Sequence, residues 1–389
     1  MKEMNRKNQH FTDSVIRRMT RIALDVGAIN LAQGFPDFDP PKAITDRLAE
    51  ISTIGPHQYP ITMGAPNFRQ ALARKCGRFM GRTLDPDTEM VVTIGSTEAM
   101  VDTIFALTNP GDKVVLFSPY FENYHAQIIM ADCEPIYVPL VPPAFHFDPA
   151  VLEDAFKQNP KAILICNPSN PSGKVFTEAE LKYIADLCIK YDVYAIMDEV
   201  YEHIVYPGHK HTYMNSIPGM WERTVSCSSL SKTYSITGWR LGYAIAPQHI
   251  MDRIKQYHDF NTVGAPSPLM EAAVVGLDMP DSYYEEFGAH YAHMKKLFTE
   301  GLDRIGIPYT DPQGAYFVLA DMSPYMKKGQ TDVEFCEELA RKVGVGAVPG
   351  TSFFSEKGVN NIVRLHFAKV DETLNEALDR LSHIREKLF

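Results

Sequence analysis

The sequence has no long apolar run and no excess of positive charge. No stretch reaches the roughly eighteen apolar residues that a membrane-spanning helix needs, and residues 1–10 lack the apolar core of a signal peptide. The net charge of −10 argues against duplex nucleic acid or an anionic membrane as the main partner. A small anionic ligand is not excluded, because it needs only a local group of hydrogen-bond donors.

Closely spaced cysteines are also absent. The six cysteines are scattered, with no C-x-x-C pair and no spacing typical of a metal site. We therefore expect reduced cysteines in the core of a cytoplasmic protein that binds no metal. The chain has 389 residues, of which 45% are hydrophobic and 22% charged, as in ordinary globular proteins. Its length favours two domains, or one large α/β domain with an appendage.

Apolar, strand-like segments alternate with helical segments through the first two thirds of the chain. The strand-like segments are residues 90–94, 113–117, 135–140, 162–166, 193–197, 224–227 and 241–246. This alternation predicts an α/β fold with a mostly parallel central sheet flanked by helices. We place this large domain at residues 45–285.

The two chain ends have a different pattern. Residues 11–26 have the spacing of an amphipathic helix, and residues 282–305 are helical. Strand-like segments follow at residues 314–319 and 362–366, and a last helix begins at Asp371. We expect a smaller α+β domain built from both ends, residues 1–44 and 286–389.

One lysine stands where a surface lysine is out of place. Lys232 lies in a hydroxyl-rich turn between the segments 224–227 and 241–246. Burial lowers the pKa of a lysine and frees its amine as a nucleophile toward carbonyls. For the tetrapeptide alone, an ordinary loop lysine is the simpler interpretation. Asn170, Asp198 and Lys232 each follow a strand-like segment, however, and ligands of open parallel sheets bind beyond the carboxyl ends of strands.

An amine nucleophile forms a Schiff base with an aldehyde, and pyridoxal 5′-phosphate is the aldehyde cofactor that uses such a lysine. The sequence has a candidate for each demand of the cofactor ring. Asp198 would hold the proton on the pyridine nitrogen, although aspartates at strand ends are also common structural caps. Asn170 and Tyr201 would donate to the ring oxygen O3′. Phe121 would cover the ring face.

The phosphate and the substrate need further groups. A helix start, hydroxyls and a cation suit the phosphate, which points to Ser96, Thr97, Ser229 and Arg240. Ser96 alone would be interpreted as a helix N-cap. Arg364 lies in the apolar segment 362–366, where an unpaired arginine is costly, and it would hold a substrate carboxylate with two hydrogen bonds.

Three motifs in a fixed order carry a family resemblance: residues 167–173 (NPSNPSG), 197–203 (MDEVYEH) and 229–240 (SLSKTYSITGWR). The chain resembles the class I/II aminotransferases, which are fold-type I pyridoxal-phosphate enzymes, from residue 34 to residue 365. Several independent motifs make a chance match very improbable.

The resemblance implies roles beyond those inferred from the residues. Lys232 would be the Schiff-base lysine and the acid/base of the proton shift, with Asp198 and Tyr201 as further catalytic residues. Gly34, Asn170 and Arg364 would bind the substrate carboxylate. Tyr59 would reach the phosphate from the other subunit of a homodimer whose small domains close over the substrates, an L-amino acid and a 2-oxo acid.

The motif at residues 33–38 is similar to the branch acting on kynurenine, glutamine, methionine and aromatic amino acids. Thr97 stands where some bacterial aspartate enzymes carry a lysine, so we expect apolar or aromatic donors rather than aspartate. An aspartate aminotransferase and a β-elimination lyase of the same fold remain alternatives. A non-catalytic binder, such as the aminotransferase-like half of a transcription regulator, is disfavoured because the chain is acidic and we expect no DNA-binding domain before residue 30.

Overall fold

The computed structural model describes residues 4, 5, 7 and 13–389. The α-helices are α1 Val15–Asp25, α2 Lys42–Ile54, α3 Pro66–Met80, α4 Gly95–Leu107, α5 Glu122–Met130, α6 Pro149–Phe156, α7 Glu178–Tyr191, α8 Leu230–Thr233, α9 Gln248–Asn261, α10 Ser267–Leu277, α11 Asp281–Ile305, α12 Asp332–Glu338, α13 Asp371–Ser382 and α14 Ile384–Leu388. The strands are β1 Ile29–Asn30, β2 Met90–Ile94, β3 Lys113–Ser118, β4 Glu134–Val141, β5 His146–Phe147, β6 Ala162–Cys166, β7 Tyr194–Asp198, β8 Thr224–Ser229, β9 Leu241–Ile245, β10 Phe317–Asp321, β11 Val345–Gly346, β12 Val348–Pro349 and β13 Ile362–His366.

Eight strands from residues 90–245 form the central sheet, in the order β2-β9-β8-β7-β6-β3-β4-β5. The strands β8, β7, β6, β3 and β4 run parallel, whereas β9 is antiparallel to both of its neighbours and β5 to β4. Because β2 and β8 both oppose β9, β2 points the same way as the parallel set. The predicted α/β class with a mostly parallel sheet is confirmed, and the carboxyl ends of these strands meet at one edge.

Local sequence explains where the elements begin. The helix α7 starts with a capping box, in which Thr177 and Glu180 satisfy each other's backbone N–H groups. The strand expected at residues 314–319 begins only at Phe317, because Gly314 forms an isolated bridge with Val205 and the next two residues form a turn in which Ala315 has a φ of 56°. The N-terminal helix predicted over residues 11–26 is described as α1, and residues 11 and 12 lie outside the described part.

A second unit packs against the sheet edge. A three-stranded sheet, β10-β13-β12, and the parallel pair of β1 with β11 form its strands. One hydrophobic cluster joins Ile16, Met19 and Leu31 from the N-terminal segment to buried residues of α11 and α13. The N-terminal segment therefore packs with the last hundred residues, while the division at residues 44 and 285 stays a prediction.

All six cysteines are buried and have free thiols. Over residues 13–389, none of the helices combines the length and apolar character needed to cross a membrane.

A buried ion pair supports the sheet beneath the loop after β7. Lys75 on α3 donates to Glu202, and their side chains are only 3% and 2% exposed. The Glu202 carboxylate also accepts from Tyr213 at 2.8 Å and from Tyr243 at 3.3 Å. Burial by itself lowers the pKa of Lys75, but the attraction of Glu202 outweighs it and raises the pKa above its usual range.

We predict that Lys75→Met destabilises the protein strongly, because it leaves the Glu202 carboxylate buried without its cation. The expected loss in the free energy of unfolding is about 3–5 kcal/mol, measured by urea denaturation. The double variant Lys75→Met/Glu202→Met should recover most of the loss. Lys42→Met, which removes an exposed pair with Asp46, is the control and should have little effect. A Lys75→Met protein as stable as the parent would contradict the prediction.

Candidate active site

A cavity of about 490 Å³ lies at the edge where the parallel strands end. It is bounded by the central sheet, by α1 and the Gly34 turn, and by β13. Except for Tyr59, every residue predicted for the site lines it: Gly34, Ser96, Thr97, Phe121, Asn170, Asp198, Tyr201, Ser229, Lys232, Arg240 and Arg364. Tyr59 lies outside this cavity, on the loop after α2, with 87% of its surface exposed.

Lys232 enters the cavity from α8, which begins directly after β8. Its amine Nζ donates a hydrogen bond to the carbonyl oxygen of Gly34 at 2.9 Å. Burial, together with the guanidinium groups of Arg240 and Arg364, lowers the pKa of Lys232 to about 8, and Asp198 opposes this shift. The lysine therefore has an unusually large neutral, nucleophilic fraction near neutral pH.

Asp198 ends β7 and points into the same cavity. Its Oδ2 accepts from the Tyr124 hydroxyl at 2.6 Å, and its Oδ1 accepts from the backbone N–H of Val200 at 3.3 Å. Burial raises the pKa of Asp198 and the hydrogen bond from Tyr124 lowers it. The net result is a pKa raised to about 6. A cation placed next to this carboxylate would favour its charged form.

Arg364 connects the small sheet to the large one. Its Nη1 donates to Oδ1 of Asn170 at 2.7 Å, and its Nη2 donates to the carbonyl of Ala32 at 2.6 Å. The guanidinium carbon lies 4.4 Å from the ring centre of Phe317 and 4.8 Å from that of Phe353. Its Nε is buried without a partner, and burial lowers the pKa of Arg364 to about 10. The group thus has donor capacity left for an anion.

A second anion site forms at the start of α4. Ser96 and Thr97 occupy the first turn, and the Ser96 hydroxyl is buried without a hydrogen-bond partner. Arg240, held at a φ of 56°, donates to the carbonyl of Thr237 at 3.0 Å. A side chain at Gly95 would overlap the Arg240 guanidinium, so glycine is what allows this close approach. A helix start, an unsatisfied hydroxyl and a cation fit a phosphate.

Two aromatic residues complete the predicted set. Tyr201 is buried and stands perpendicular to the rings of Tyr316 and Phe317, at centroid distances of 5.3 and 5.7 Å. Phe121 caps α5 and meets the ring of Tyr124 edge-on at 5.6 Å. The peptide bonds Ser118–Pro119 and Asn170–Pro171, whose isomer the sequence leaves open, are both cis.

Two tyrosines of the site were not predicted. Tyr124 lies three residues after Phe121, about one helical turn along α5, so helical spacing was an available signal. Tyr316 carries no such signal, because its place depends on the packing of the chain end. Its hydroxyl donates to the Gly34 carbonyl at 2.9 Å, the same oxygen that accepts from Lys232.

Together these groups form a buried amine, a carboxylate opposite it and two separate anion sites, an arrangement typical of pyridoxal-phosphate enzymes. The chain matches the family described as Aminotransferase class I and II over residues 26–381. It is 33% identical to kynurenine–oxoglutarate transaminase 3 of Mus musculus, over 92% of this chain and 85% of that protein. It is also 33% identical to the probable N-succinyldiaminopimelate aminotransferase DapC of Mycobacterium tuberculosis, over 97% of both chains.

The fold agrees with these relatives. The structure matches YbdL of Escherichia coli, identified as having a methionine aminotransferase function, with a TM-score of 0.93 and 31% identity over 99% of this chain and 100% of that one. The chain therefore belongs to the class I and II aminotransferases, and it is a pyridoxal-phosphate-dependent enzyme. The unsatisfied Ser96 hydroxyl and the Gly95–Arg240 approach fit the phosphate of that cofactor.

We predict that the Lys232 amine titrates near pH 8 in the cofactor-free protein, because burial and two nearby guanidinium groups disfavour its charge. Its reactivity should rise as pH passes through that value. The measurement is the rate of reductive methylation at Lys232 across a pH series, followed by mass spectrometry. Arg364→Met should move the midpoint upward. A midpoint above about 10, the ordinary lysine range, would contradict this account.

We also predict that Tyr316 positions the Gly34 turn. Tyr316→Phe removes one of the two donors to the Gly34 carbonyl, a loss of about 1 kcal/mol. The Michaelis constant for the amino acid should rise about fivefold, with a smaller change in kcat. The matched control is Tyr291→Phe, whose buried hydroxyl has no partner and whose ring stacks on Tyr316 at 5.8 Å. Equal effects of the two variants would show that the hydroxyl of Tyr316 has no such role.

Proposed function

We propose that the enzyme transfers the amino group of an L-amino acid with an apolar or aromatic side chain to a dicarboxylic 2-oxo acid, by a ping-pong mechanism. The observation that carries the donor class is the outer wall of the cavity, where Ile16, Phe35 and Phe121 are apolar. Thr97 offers no charge to a donor side chain. The names of the kynurenine and methionine relatives support the same class.

The residues that line the cavity suggest which of them interact with the cofactor ring. Bound pyridoxal phosphate withdraws electrons from the α-carbon of the substrate. Asp198 stabilises a positive charge on the ring nitrogen, with Tyr124 holding the carboxylate in place. Asn170 and Tyr201 donate to the ring oxygen, and Phe121 covers the ring.

Lys232 binds the cofactor covalently and moves the proton. Once the substrate amine has displaced it, its Nζ, which has a lowered pKa, would accept the α-proton of the substrate and return it to the cofactor carbon that the substrate nitrogen is bonded to. Ser96, Thr97, Ser229 and Arg240 hold the phosphate.

The substrate carboxylate binds at the pair of Arg364 and Asn170. The hydrogen bond of 2.7 Å between them already orients the guanidinium, so the carboxylate meets a prepared group. The backbone of Gly34 lies beside it, close enough to the Tyr316 and Phe317 rings that any side chain there would clash.

Arg17 is the feature that favours a dicarboxylic acceptor. On α1, Arg18 pairs with Glu337, and Arg21 lies 3.8 Å from Asp13. Within residues 13–389, Arg17 has no carboxylate partner, and it lines the cavity mouth. It would bind the distal carboxylate of an acceptor such as 2-oxoglutarate. The same residue would serve an aspartate donor, so aspartate stays the second candidate.

The small domain brings this helix to the site. We propose that residues 1–44 and 286–389 form it and that it closes over the substrate, because α1 carries Ile16 and Arg17 and packs on the C-terminal unit. Closure would then change the distance of both side chains from the bound substrate.

A homodimer is the proposed assembly. The loop after α2 and the turn after α9 lie together, since a Cβ atom added to Gly264 would be in van der Waals contact with the backbone of Thr62. They expose an apolar surface formed by Ile54, Tyr59, Ile61, Phe260 and Val263. A second copy of the chain would cover it and receive Tyr59 at its phosphate. The cytoplasmic location expected from the sequence also stays a prediction.

The test of this function is a panel of donors, including kynurenine, phenylalanine, methionine, glutamine and aspartate, each with pyruvate or 2-oxoglutarate. Keto-acid formation and the absorption band of the cofactor are followed. Aromatic donors and methionine should have a higher kcat/KM than aspartate, and 2-oxoglutarate should surpass pyruvate. A preference for aspartate would overturn the donor class. Ammonia release without an acceptor would identify a lyase.

The Arg17→Gln variant tests the acceptor within the same panel. The Michaelis constant for 2-oxoglutarate should rise about fivefold, as for the loss of about 1 kcal/mol from a partly exposed ion pair. The constant for pyruvate, which has no distal carboxylate, should not change. Arg21→Gln on the same helix is the control. Equal changes for the two acceptors would show that Arg17 does not bind the distal carboxylate.

A further inference from the structure

A cluster of titratable side chains lies outside the cavity, behind the helix that starts the phosphate site. Glu98 and Asp102 on α4 face His258 on α9, and their exposures are 8%, 1% and 0%. The His258 Nδ1 lies 3.1 Å from Oε1 of Glu98 and 3.6 Å from Oδ2 of Asp102. Asp102 also accepts from Asn261 at 3.1 Å. No step of the proposed reaction uses these groups.

The partners of His258 define its charge. Its Nε2 lies 2.8 Å from the carbonyl oxygen of Thr62, which can only accept, so Nε2 carries a proton. Its Nδ1 faces two carboxylates, which accept when ionised, so Nδ1 carries a proton as well. The pKa agrees: burial opposes the charge, but the hydrogen bonds to Asp102 and Glu98 raise the pKa of His258 to about 10. The ring is an imidazolium that faces two carboxyl groups.

On one side, this cation is tied to the phosphate site. Glu98 lies in the first turn of α4, one residue after Thr97 and two after Ser96. Its second oxygen, Oε2, accepts from the backbone N–H of Ile94, at the end of β2. The Glu98 carboxylate therefore links the imidazolium to the junction of β2 and α4. The Ser96 and Thr97 hydroxyls proposed to bind the phosphate lie at this junction.

On the other side, the cation holds the loop that carries Tyr59. Three carbonyls of that loop are fixed: Gln58 by the Ser267 hydroxyl at 2.7 Å, Thr62 by His258 at 2.8 Å and Met63 by the N–H of Val92 at 3.1 Å. Between the first two anchors, Tyr59 and Ile61 are 87% and 58% exposed. The anchored backbone therefore holds the exposed Tyr59 side chain at the surface of the subunit.

We propose that His258 is a positioning residue whose imidazolium joins the phosphate-binding turn of its own subunit to the loop that presents Tyr59 to the second subunit. The proposal rests on the proposed function, in which Tyr59 binds the phosphate across a dimer interface. One buried network in each subunit would then include two parts of the phosphate sites. These are the Ser96–Thr97 turn of its own site and the Tyr59 loop that completes the site of the other subunit.

The same three side chains are also metal-ligand types whose ligand atoms lie within 4.8 Å of one another. A metal ion would bind the Nδ1 that the imidazolium uses as a donor. The two interpretations exclude each other at that atom, so metal content separates them.

The experiment is a double-mutant cycle on the holoenzyme, with the dissociation constant of pyridoxal phosphate measured by equilibrium dialysis. Tyr59→Phe should weaken cofactor binding about tenfold, as expected for a lost hydrogen bond to a charged group. His258→Asn should weaken it by a similar factor. The double variant should bind better than the product of the two single effects predicts, because part of the effect of His258 acts through Tyr59.

Two controls keep the result interpretable. His249→Asn replaces an exposed histidine on the same helix α9 and should leave cofactor binding unchanged. Asp102→Asn keeps the size of the side chain and removes one of the carboxylates that face the imidazolium. It serves where His258→Asn fails to fold, and its effect should likewise be smaller in the Tyr59→Phe background.

The outcomes are distinct. If Tyr59→Phe leaves the affinity unchanged, the proposed role of Tyr59 fails. If Tyr59→Phe weakens binding but His258→Asn does not, or if the two effects multiply, the inference about His258 is overturned while the role of Tyr59 stands. A stoichiometric metal ion in the purified holoenzyme, measured by plasma mass spectrometry and lost in His258→Asn, would overturn the imidazolium.

Discussion

The site depends on one fully buried guanidinium. Arg364 is 1% exposed, and a charge without water is costly unless its donors are satisfied. The structure satisfies part of this need with the carbonyl of Ala32, the amide oxygen of Asn170 and the faces of two phenylalanine rings, and the described residues leave its Nε without a partner. Any movement of the N-terminal segment or of β13 relative to the central sheet therefore changes the environment of this charge. Under the proposed role of Arg364, domain position and substrate binding would be coupled through it.

The local charge of the cavity is opposite to that of the whole protein. The chain carries a net charge of −10, yet Lys232, Arg240 and Arg364 line the cavity, against the carboxylates of Asp198 and Glu122. Each of these cations has a lowered pKa, mainly because of burial. An anionic cofactor and a carboxylate substrate offset the repulsion among these buried cations. The folded protein therefore already holds the charges that attract both ligands.

Sequence patterns predicted the part of the site that depends on strand direction. Asn170, Asp198 and Lys232 come after three parallel strands, so the pattern alone placed them at one sheet edge, and the structure brings them to one cavity. The pattern could not give Tyr316 or Arg17, because their positions depend on how the two chain ends fold onto each other. Nor could it give His258, which is brought to Glu98 by the packing of α9 on α4, 160 residues apart in sequence.

The Gly34 carbonyl shows how the fold can release a catalytic amine. A buried carbonyl left without a donor costs about 1–3 kcal/mol, which would oppose the departure of Lys232 from it. Here the Tyr316 hydroxyl also donates to the oxygen, at the same 2.9 Å as the amine. The Lys232 Nζ can therefore turn toward the reacting atoms while Gly34 keeps a donor. The Gly34 turn, beside the proposed site of the substrate carboxylate, then keeps its position whether or not the Lys232 Nζ donates to it.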